Sequence, residues 1–402
     1  MRIGMMADLY KPHISGVTNH IELVKKHLNS AGHEVYLFTF GNKDYLDYEE
    51  NVIRTSGLSF DIPSMEPGIS INVRYDRYAR DLLASMDIVH AHHPFVSGIL
   101  AMRYCKPLGI PIVFTSHTRY DLYYQAYLPM LPENLGHNLM QAYFQFFCKS
   151  CDLVIAPSNG MWEVLRELGL DAKIEIVPNG IDLEFIRSRR VMIRKEELGF
   201  EEDETVLIYV GRLGPEKNVA FLLGAFAKAI ESFAKGRLLI VGDGIDRKRL
   251  EKQAKQSGID SKVKFTGAVP YEEIPGYLGL ADAFVTASVT EVHPLTLIEG
   301  MAAGLPILGI KSPGIEDIIE EEETGYLVSD DISEFTDKLL QLLSDHKARK
   351  YMGDTAFERV EKYSIEKTSK MLVAQYEVLV SRAKRKPNEG GRMEKLKERL
   401  HL

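Results

Sequence analysis

The strongest constraint on the fold of this chain is a regular alternation between short apolar runs and longer segments with helical spacing. Ile3–Ala7 is short and apolar, which indicates a buried strand. The segment after it places Val17, Ile21 and Val24 on one face of a helix. A buried strand followed by an amphipathic helix is typical of parallel sheets that are covered on both faces. The alternation therefore predicts an α/β fold built on doubly wound parallel sheets.

The same pattern runs through the first half of the chain and then starts again. The further predicted strands of the first half are Glu34–Thr39, Ile88–His90, Ile112–Thr115, Leu153–Ala156 and Ile174–Val177. Those of the second half are Thr205–Gly211, Leu238–Val241, Val263–Phe265, Phe284–Thr286 and Pro306–Gly309. The restart predicts two similar domains.

An internal similarity and the chain length support this division. Cys151–Ser158 and Ala281–Ser288 share the positions of an Asp, a central apolar run and a Ser, and 402 residues are enough for two cores. The turn signal at Pro178–Gly180 and the charge-rich stretch after it place the boundary. We predict Rossmann-like domains at residues 1–185 and 186–361, and a C-terminal helix with a basic tail at 362–402 that packs back toward the first domain.

Charge and composition narrow the class of protein. The formal net charge is −8, whereas a protein that binds duplex nucleic acid normally carries positive charge, so we expect no nucleic acid partner. Asp8 and Lys11 interrupt the N-terminal apolar run before a signal peptide could form. Three cysteines (Cys105, Cys148 and Cys151) are too few for a disulfide framework. A cytoplasmic protein is the expectation.

Two glutamates flank a predicted strand-to-helix junction in the second half. The N–H groups of Leu295 and Thr296 fall in the first turn of the predicted helix, where the helix dipole favours an anion such as phosphate. Glu291 precedes that helix and Glu299 lies a turn further in, within reach of a pair of sugar hydroxyls. The eight-residue separation of the two acids puts them off a common helical face, so they would serve different parts of one ligand. The alternative is a capping loop with solvated acids.

A basic loop follows the first predicted strand of the second half. Gly211 and Gly214 allow close backbone approach there, and Arg212 and Lys217 bring two cations to the same loop. This combination suits a diphosphate, because Arg can bind as a fork and Lys as a point charge. Asn218 is predicted to cap the next helix. The alternative is a solvated basic loop.

Taken together, these segments resemble the motifs of the retaining glycosyltransferases of family 4, which have the GT-B fold. The run Gly-Arg-Leu-Gly-Pro-Glu-Lys-Asn and the pair Glu291 and Glu299 occur in the family's order and separation. Ser15–Val17, His117 and Pro178–Asp182 also fit the family. The resemblance extends from the N-terminus to about residue 380. It implies two Rossmann-like domains facing across a cleft, with an N-terminal acceptor side and a C-terminal donor side.

The resemblance also implies roles for the charged residues. Arg212 and Lys217 would neutralise the diphosphate of a nucleotide-sugar donor as the glycosyl bond breaks. A UDP-sugar is the expected donor. Glu299 would hold the ribose hydroxyls, and Glu291 a hydroxyl of the transferred sugar. His117 would contact the sugar or the acceptor oxygen. These residues, apart from Glu299, form the predicted catalytic set.

Backbone positions complete the predicted donor site. The N–H groups of Leu295 and Thr296 would hold phosphate or sugar oxygens, Gly16 would admit the phosphate, and Val269 would lie at the edge that binds the base. The resemblance implies transfer with retention and without metal or other cofactor. Many family members have glycine where this chain has Pro294, which lacks an N–H, so the identity of the sugar stays open.

The sequence constrains the acceptor of the transferred sugar less than it constrains the donor. Ser15–Val17 and His117–Tyr124 look like bacterial diacylglycerol glucosyltransferases, which suggests a membrane lipid. The stretch Tyr127–Leu131 could line a lipid entrance or belong to an ordinary amphipathic helix. A small soluble or polysaccharide acceptor, a nucleotide-sugar epimerase and a non-catalytic binding module are the alternatives. The oligomeric state is open.

The C-terminal tail carries a second indication of lipid. From Arg382 to Leu402 it has eight basic and three acidic residues, with Met393, Leu396 and Leu400 at helical spacing. A basic amphipathic helix of this kind can lie on anionic lipid. The alternative is a solvated tail, so peripheral membrane contact is an open expectation.

Three other patterns indicate structure rather than chemistry. His90–His93 at a strand end could suggest a metal site, but we favour packing or a wall of the cleft. The Cys-Lys-Ser-Cys run of Cys148 and Cys151 falls at a helix end, where a redox cysteine is not expected, so buried thiols are favoured. Gly242–Gly244 is not a dinucleotide fingerprint, because Arg247 stands at the third glycine position.

Overall fold

The computed structural model describes residues 1–13, 15–41, 47, 49–55, 58–59, 70–71, 74–120, 122, 133–188 and 193–385. The chain forms two compact units. Unit 1 runs from Met1 to Gly180 and includes the C-terminal segment that begins at Ile365. Unit 2 runs from Ile181 to Ser364.

Unit 1 is built around a parallel sheet. Its strands are β1 (Arg2–Met6), β2 (Glu34–Phe40), β3 (Val52–Thr55), β4 (Leu58–Ser59), β5 (Ser70–Ile71), β6 (Ile88–Ala91), β7 (Ile112–Thr115), β8 (Leu153–Ala156) and β9 (Ile174–Ile176). Its first helices are α1 (Gly16–Ser30), α2 (Arg77–Leu83), α3 (Val96–Tyr104), α4 (Glu133–Ser150) and α5 (Asn159–Glu167). The sheet has the order β3-β2-β1-β6-β7-β8-β9 with parallel neighbours, and β4 and β5 form a separate antiparallel pair.

Unit 2 repeats this architecture. Its strands are β10 (Thr205–Val210), β11 (Gly236–Val241), β12 (Val263–Gly267), β13 (Ala283–Thr286), β14 (Ile307–Ile310) and β15 (Gly325–Val328). Its helices are α6 (Leu183–Ser188), α7 (Val219–Ser232), α8 (Arg247–Gln256), α9 (Ile274–Leu280), α10 (Leu295–Ala302), α11 (Ile332–Ser344) and α12 (His346–Arg359). The sheet order is β12-β11-β10-β13-β14-β15, again with parallel neighbours. Two doubly wound parallel sheets confirm the predicted fold class.

The last helix, α13 (Ile365–Arg385), belongs to the core of unit 1. Leu372, Tyr376 and Leu379 on this helix are buried in one apolar cluster with Ile3 of β1 and Val24 of α1. The apolar face of α13 thereby covers a sheet that α1 alone leaves partly open. Helix α13 thus helps to form the core to which the first strand of the chain belongs.

The internal similarity between the two halves has a structural cause. The Asp152 carboxylate accepts a hydrogen bond of 2.9 Å from the N–H of Ile112, the first residue of β7. The Asp282 carboxylate accepts one of 2.8 Å from the N–H of Val206 in β10. Each aspartate therefore ties the entry of its own strand to the entry of the neighbouring strand, which fixes the register of the pair.

The separate pair of β4 and β5 was not predicted, and neither were two strands of the parallel sheets, β3 and β15. Each lies at an edge of its sheet and pairs with a single neighbour, β2 and β14 respectively. β3 contains the charged residue Arg54. β15 has only four residues and follows a run of acidic residues, so its apolar pattern is hard to recognise in the sequence. Such short edge strands are decided by the neighbour that pairs with them more than by their own composition.

None of the helices in the described part of the chain is both long enough and apolar enough to cross a membrane.

Candidate active site

The strand order indicates where each unit would bind a ligand. Both sheets extend first to one side and then to the other, and the order reverses between β1 and β6 and between β10 and β13. Ligands of open parallel sheets bind beyond the carboxyl ends of the strands at such a reversal. In unit 2 the loops at this place are Gly211–Asn218 and Ala287–Pro294. Both predicted motifs of the second half therefore reach the same edge.

An ion pair joins these two loops. Nζ of Lys217 lies 2.7 Å from Oε1 of Glu291, and the side chains are only 24% and 15% exposed. Burial by itself raises the pKa of Glu291, but the charge and hydrogen bond of Lys217, with a hydrogen bond from Ser288, lower it below its usual value. Glu291 is therefore an ionised acceptor held beside a cation. The sequence predicted both residues for one ligand site but did not predict that they pair with each other.

Arg212 is the more exposed cation of the loop. Its Nη2 atom lies 2.6 Å from Oε1 of Glu216, and its side chain is 54% exposed. The Tyr209 hydroxyl donates a hydrogen bond of 3.0 Å to the Arg212 carbonyl oxygen and so holds the backbone of the loop. An exposed salt bridge of this kind is weak. A doubly charged ligand could therefore draw the guanidinium away from Glu216 at small cost.

Asn218 corrects one sequence prediction. It occupies the position before α7, as predicted, but its side chain makes no capping hydrogen bond. Its backbone is left-handed, with φ 53° and ψ 32°. Asn tolerates this conformation better than most residues. Its role is therefore to turn the chain from the loop into the helix rather than to cap the helix.

Glycines allow the neighbouring loop to support the basic one. The Leu213 N–H donates a hydrogen bond of 2.8 Å to the Asp243 carbonyl oxygen, which brings the loop after β11 against the loop after β10. A Cβ atom at Gly242 would collide with the Gly211 carbonyl oxygen, and one at Gly244 with the Leu213 carbonyl oxygen. Gly242–Gly244, which is no dinucleotide fingerprint, thus serves close backbone packing.

Another glycine positions Glu291, and sequence reasoning missed it. The Gly314 N–H donates a hydrogen bond of 3.0 Å to the Glu291 carbonyl oxygen. A Cβ atom on Gly314 would collide with the backbone of Val292. The Ser-Pro-Gly turn signal after β14 was the available clue.

Helix α10 carries the second glutamate in a very different environment. Leu295 and Thr296 form its first turn, where N–H groups have no partner within the helix. Glu299 lies one turn further along and is 3% exposed. Burial raises its pKa to about 7, against the hydrogen bond that Tyr271 donates to it. The two glutamates of the site therefore differ in charge near neutral pH.

Tyr271 links Glu299 to the predicted base-binding edge. Its hydroxyl donates a hydrogen bond of 2.8 Å to Oε1 of Glu299, and its ring stacks on Phe185 with centroids 5.3 Å apart. Tyr271 follows the loop after β12 that contains Val269, and Val269 packs half-buried against the core of unit 2. No pattern in the sequence predicted Tyr271, because its role depends on Glu299 in helix α10.

In unit 1, Gly16 is the first residue of α1, at the reversal beside β1. Ser15 caps this helix: its Oγ accepts a hydrogen bond of 3.2 Å from the Thr18 N–H. A Cβ atom on Gly16 would meet nothing within 4 Å. The space beside Gly16 is therefore open, and packing in the described structure does not demand a glycine there.

Histidines gather at the same edge of unit 1. His90 is buried, with Nε2 2.7 Å from Oγ1 of Thr115 and Nδ1 2.6 Å from the hydroxyl of Tyr376 on α13. His92 is also buried, and its Nδ1 lies 3.0 Å from Nε2 of His117. Within the described residues His90 therefore has the packing role that the sequence favoured, whereas His92 reaches a predicted site residue.

The histidine group is electrically neutral. Burial lowers the pKa of His20 to about 4 and that of His90 to about 3, and it lowers those of His92 and His117 well below the usual range. Neutral imidazoles can each donate one hydrogen bond and accept one. The edge of unit 1 therefore offers hydrogen bonds rather than charge.

Three of these histidines have the spacing of metal ligands. One ring nitrogen each of His20, His92 and His117 lies within 4.8 Å of the other two. However, Nε2 of His92 is buried without a hydrogen-bond partner among the described residues. Histidines that bind metals nearly always donate their second N–H to a partner. The cluster could hold a metal ion by distance, but if Nδ1 of His92 were the ligand, its second nitrogen would have no hydrogen-bond partner among the described residues.

The remaining predicted features divide into two groups. Cys148 is buried, as predicted, whereas Cys151 is half-buried, and burial raises the pKa of both thiols. Asp121 and residues 123–131, which contain the aromatic stretch, lie outside the described residues, as does the tail beyond residue 385.

Two doubly wound sheets whose strand-end loops carry these residues define a Rossmann-like protein with two ligand-binding edges. The family described as "Glycosyltransferase Family 4" matches residues 14–185, and the one described as "Glycosyl transferases group 1" matches residues 193–359. The alpha-monoglucosyldiacylglycerol synthase of Acholeplasma laidlawii is 32% identical over 81% of this chain and 84% of that protein. The synthase of the same name from Streptococcus pneumoniae is 31% identical over 81% of this chain and 75% of that protein.

A solved structure shows the same fold. HepE from Anabaena, determined in complex with UDP and glucose, superposes with a TM-score of 0.76 at 17% identity, covering 94% of this chain and all of that one (100%). The chain therefore belongs to glycosyltransferase family 4, with the GT-B fold. It is a glycosyltransferase, which confirms the class of enzyme and the resemblance stated from the sequence.

Proposed function

We propose that the enzyme transfers a hexose, with retention, from a UDP-sugar such as UDP-glucose to a hydroxyl of a membrane lipid such as diacylglycerol. The observation that carries the acceptor is the likeness to two relatives named for a glucosylated diacylglycerol, at 32% and 31% identity over most of their length. A third relative, the sulfoquinovosyl transferase of Arabidopsis thaliana, is 30% identical over 69% of this chain. HepE, whose complex holds UDP and glucose, supports the donor class.

The basic loop of unit 2 would receive the diphosphate. Arg212 and Lys217 lie at one strand-end loop, and the carboxylates that balance them are Glu216 and Glu291. As the glycosyl bond breaks, negative charge grows on the diphosphate, and both cations can strengthen their contacts with it. Glu291 remains ionised beside Lys217 and can accept a hydrogen bond from a hydroxyl of the transferred sugar.

Helix α10 would hold the rest of the donor. The first-turn N–H groups at Leu295 and Thr296 suit phosphate or sugar oxygens. Glu299 would accept hydrogen bonds from the ribose hydroxyls, and its link through Tyr271 to the loop of Val269 supports a base at that edge. In unit 1, His117 would contact the sugar or the acceptor oxygen, and the open space beside Gly16 would admit phosphate.

We further propose that transfer needs no metal, because the basic loop supplies two cations for the leaving diphosphate. An oxygen of that diphosphate would take the proton of the acceptor hydroxyl. Activity should be the same in EDTA as in buffer with Mg²⁺ or Mn²⁺. Activity abolished by EDTA and restored by either ion would contradict this part of the proposal.

Product analysis tests the reaction. Purified enzyme is incubated with radiolabelled UDP-glucose and vesicles that contain diacylglycerol, and the lipid extract, the free sugars and the donor are separated. We expect label in an α-linked glycolipid. Label in a free epimer would indicate an epimerase, and unchanged donor with measurable binding would indicate a binding module. Label only in a water-soluble glycoside, after adding a soluble hydroxyl acceptor, would overturn the lipid acceptor.

Membrane contact through the basic tail is a separate part of the proposal. Each cation near an anionic surface contributes about 1 kcal/mol, so the protein should sediment with anionic vesicles at low salt and release at high salt. Replacing the basic residues beyond position 385 by Gln should weaken sedimentation while the KM for the donor stays the same. Lys228→Met, on the exposed face of α7, is the matched control. Sedimentation that persists in the Gln variant would show that another surface binds the lipid.

A further inference from the structure

We infer that His92 is a positioning residue that fixes the tautomer of His117, so that His117 carries its proton on Nδ1 and presents that N–H as a donor. The contact that carries this inference is the distance of 3.0 Å between Nδ1 of His92 and Nε2 of His117. The consequence for turnover rests on the proposed function, in which His117 meets the sugar or the acceptor. The tautomer itself is a property of the free protein.

The direction of the hydrogen bond follows from the surroundings of His92. Burial keeps both imidazoles neutral, so one ring must donate and the other accept. The second nitrogen of His92, Nε2, is buried and has no partner among the described residues. A buried N–H without an acceptor is rarer and costlier than a buried bare acceptor. His92 therefore carries its proton on Nδ1 and donates it to His117.

This donor is held rigidly. The ring of His92 lies over that of His90, with centroids 4.2 Å apart and planes inclined by 31°. His90 is fixed in turn through both of its nitrogens, by Thr115 and by Tyr376. The ring of His20 packs edge-on against His92, with centroids 6.0 Å apart, and against His117, with centroids 5.0 Å apart. Two strands and two helices thus restrain the His92 ring, so the tautomer of His117 does not depend on a mobile partner.

The acceptor nitrogen of His117 is occupied by this bond. The proton of the neutral His117 ring must then lie on Nδ1. In this state the ring can donate a hydrogen bond to a substrate oxygen but cannot take a proton at Nε2. A metal ion bound by the two nitrogens that share this hydrogen bond would reverse the assignment, because it would replace the bond. It would also leave the Nε2–H of His92 buried without an acceptor.

NMR of the whole protein, labelled with ¹⁵N in histidine, tests the tautomer directly. The signals of His117 are identified by their loss in His117→Gln. We expect a protonated Nδ1 and a bare Nε2, with a hydrogen-bond coupling between the two rings, and no change on adding Zn²⁺. A protonated Nε2 on His117, or a Zn²⁺-induced shift of the His20, His92 and His117 signals together, would overturn the inference.

Two variants separate positioning from general loss of structure. His92→Asn keeps an N–H near the place of Nδ1, whereas His92→Leu removes it. A free neutral histidine prefers its proton on Nε2, so His117 should change tautomer in His92→Leu and keep it in His92→Asn. We expect kcat/KM with UDP-glucose and diacylglycerol to fall about tenfold in His92→Leu and to recover to within about threefold in His92→Asn. The exposed His346→Asn is the matched control for histidine loss.

The two readouts also separate this inference from the proposed function. A changed tautomer with unchanged turnover in His92→Leu supports the positioning role and removes His117 from the reaction. An unchanged tautomer in a folded His92→Leu overturns the positioning role whatever the turnover. If His92→Leu does not fold, the wild-type spectrum and His92→Asn decide the matter.

Discussion

The two units share one strand order but present opposite chemistry at the edge where that order reverses. In unit 2 this edge carries Arg212, Lys217 and Glu291, which are charged and paired. In unit 1 it carries His92 and His117, which burial keeps neutral. The topology of the sheet therefore determines where a ligand can bind, whereas the loops determine whether it meets charge or neutral hydrogen bonds. A charged diphosphate fits the first edge, and a neutral hydroxyl fits the second.

The largest effect of a substitution is expected at the charged edge of unit 2. Arg212→Ala should lower kcat by roughly 30- to 1,000-fold, on the order of 2–4 kcal/mol, because the contact strengthens as the leaving diphosphate gains charge. Arg249→Ala is the matched control and should leave kcat unchanged. It removes an exposed arginine of α8 whose Nη2 atom lies 2.7 Å from Oδ2 of Asp246. Steady-state kinetics measures both variants. Normal turnover of Arg212→Ala would place the diphosphate elsewhere.

The two edges should respond to pH in opposite directions, and Glu299 gives the larger effect. Burial raises its pKa to about 7 in the folded protein, above its usual value of 4.5, so folding favours the protonated form. Its ionisation should therefore lower the free energy of unfolding by about 2–3 kcal/mol between pH 5 and pH 8. In Glu299→Gln this part of the pH dependence should vanish, as urea unfolding at several pH values can measure. An identical pH dependence in the variant would refute the raised pKa.

In unit 1 the free energy of unfolding is expected to change with pH in the opposite direction. The pKa of His20 is lowered to about 4, so the unfolded chain binds a proton below its usual pKa of 6.5 while the folded protein does not. Stability should be fully present above that value and fall by about 2 kcal/mol for this group by pH 5. Hydrogen exchange should show unit 1 losing protection in acid, and His20→Phe should reduce the loss. A mildly acidic scan in which only unit 2 loses protection would contradict this.

Two glycines, one in each unit, allow the packing of the backbone at the two edges to be compared. Gly314→Ala should lower the free energy of unfolding by about 1–2 kcal/mol, because its Cβ would collide with the backbone of Val292 and displace Glu291. Gly16→Ala, where the Cβ meets nothing within 4 Å, should leave stability within about 0.5 kcal/mol. Thermal unfolding compares the pair. Equal losses in both variants would mean that the space beside Gly16 is filled.

The sequence by itself determined the fold and indicated at which edge of the sheet a ligand would bind. Apolar runs such as Ile112–Thr115 and Leu153–Ala156 have the predicted bounds in the structure, because strands buried on both faces need uninterrupted apolar residues. Arg212, Lys217, Glu291 and Glu299 were predicted as site residues from residue type and spacing, since the ligand contacts of a parallel sheet lie at the carboxyl ends of its strands. These features are local in the chain, and a local pattern is enough to reveal them.

Only the tertiary structure decided how these residues act. Lys217 and Glu291 are 74 residues apart in sequence, and their pairing depends on which strands become neighbours. The pKa of about 7 for Glu299 arises from burial by the rest of unit 2, which no motif encodes. His92 and His117, 25 residues apart, meet only because β6 and β7 are adjacent in the sheet. Charge state and hydrogen-bond direction are properties of the surroundings of a side chain, and folding brings those surroundings together.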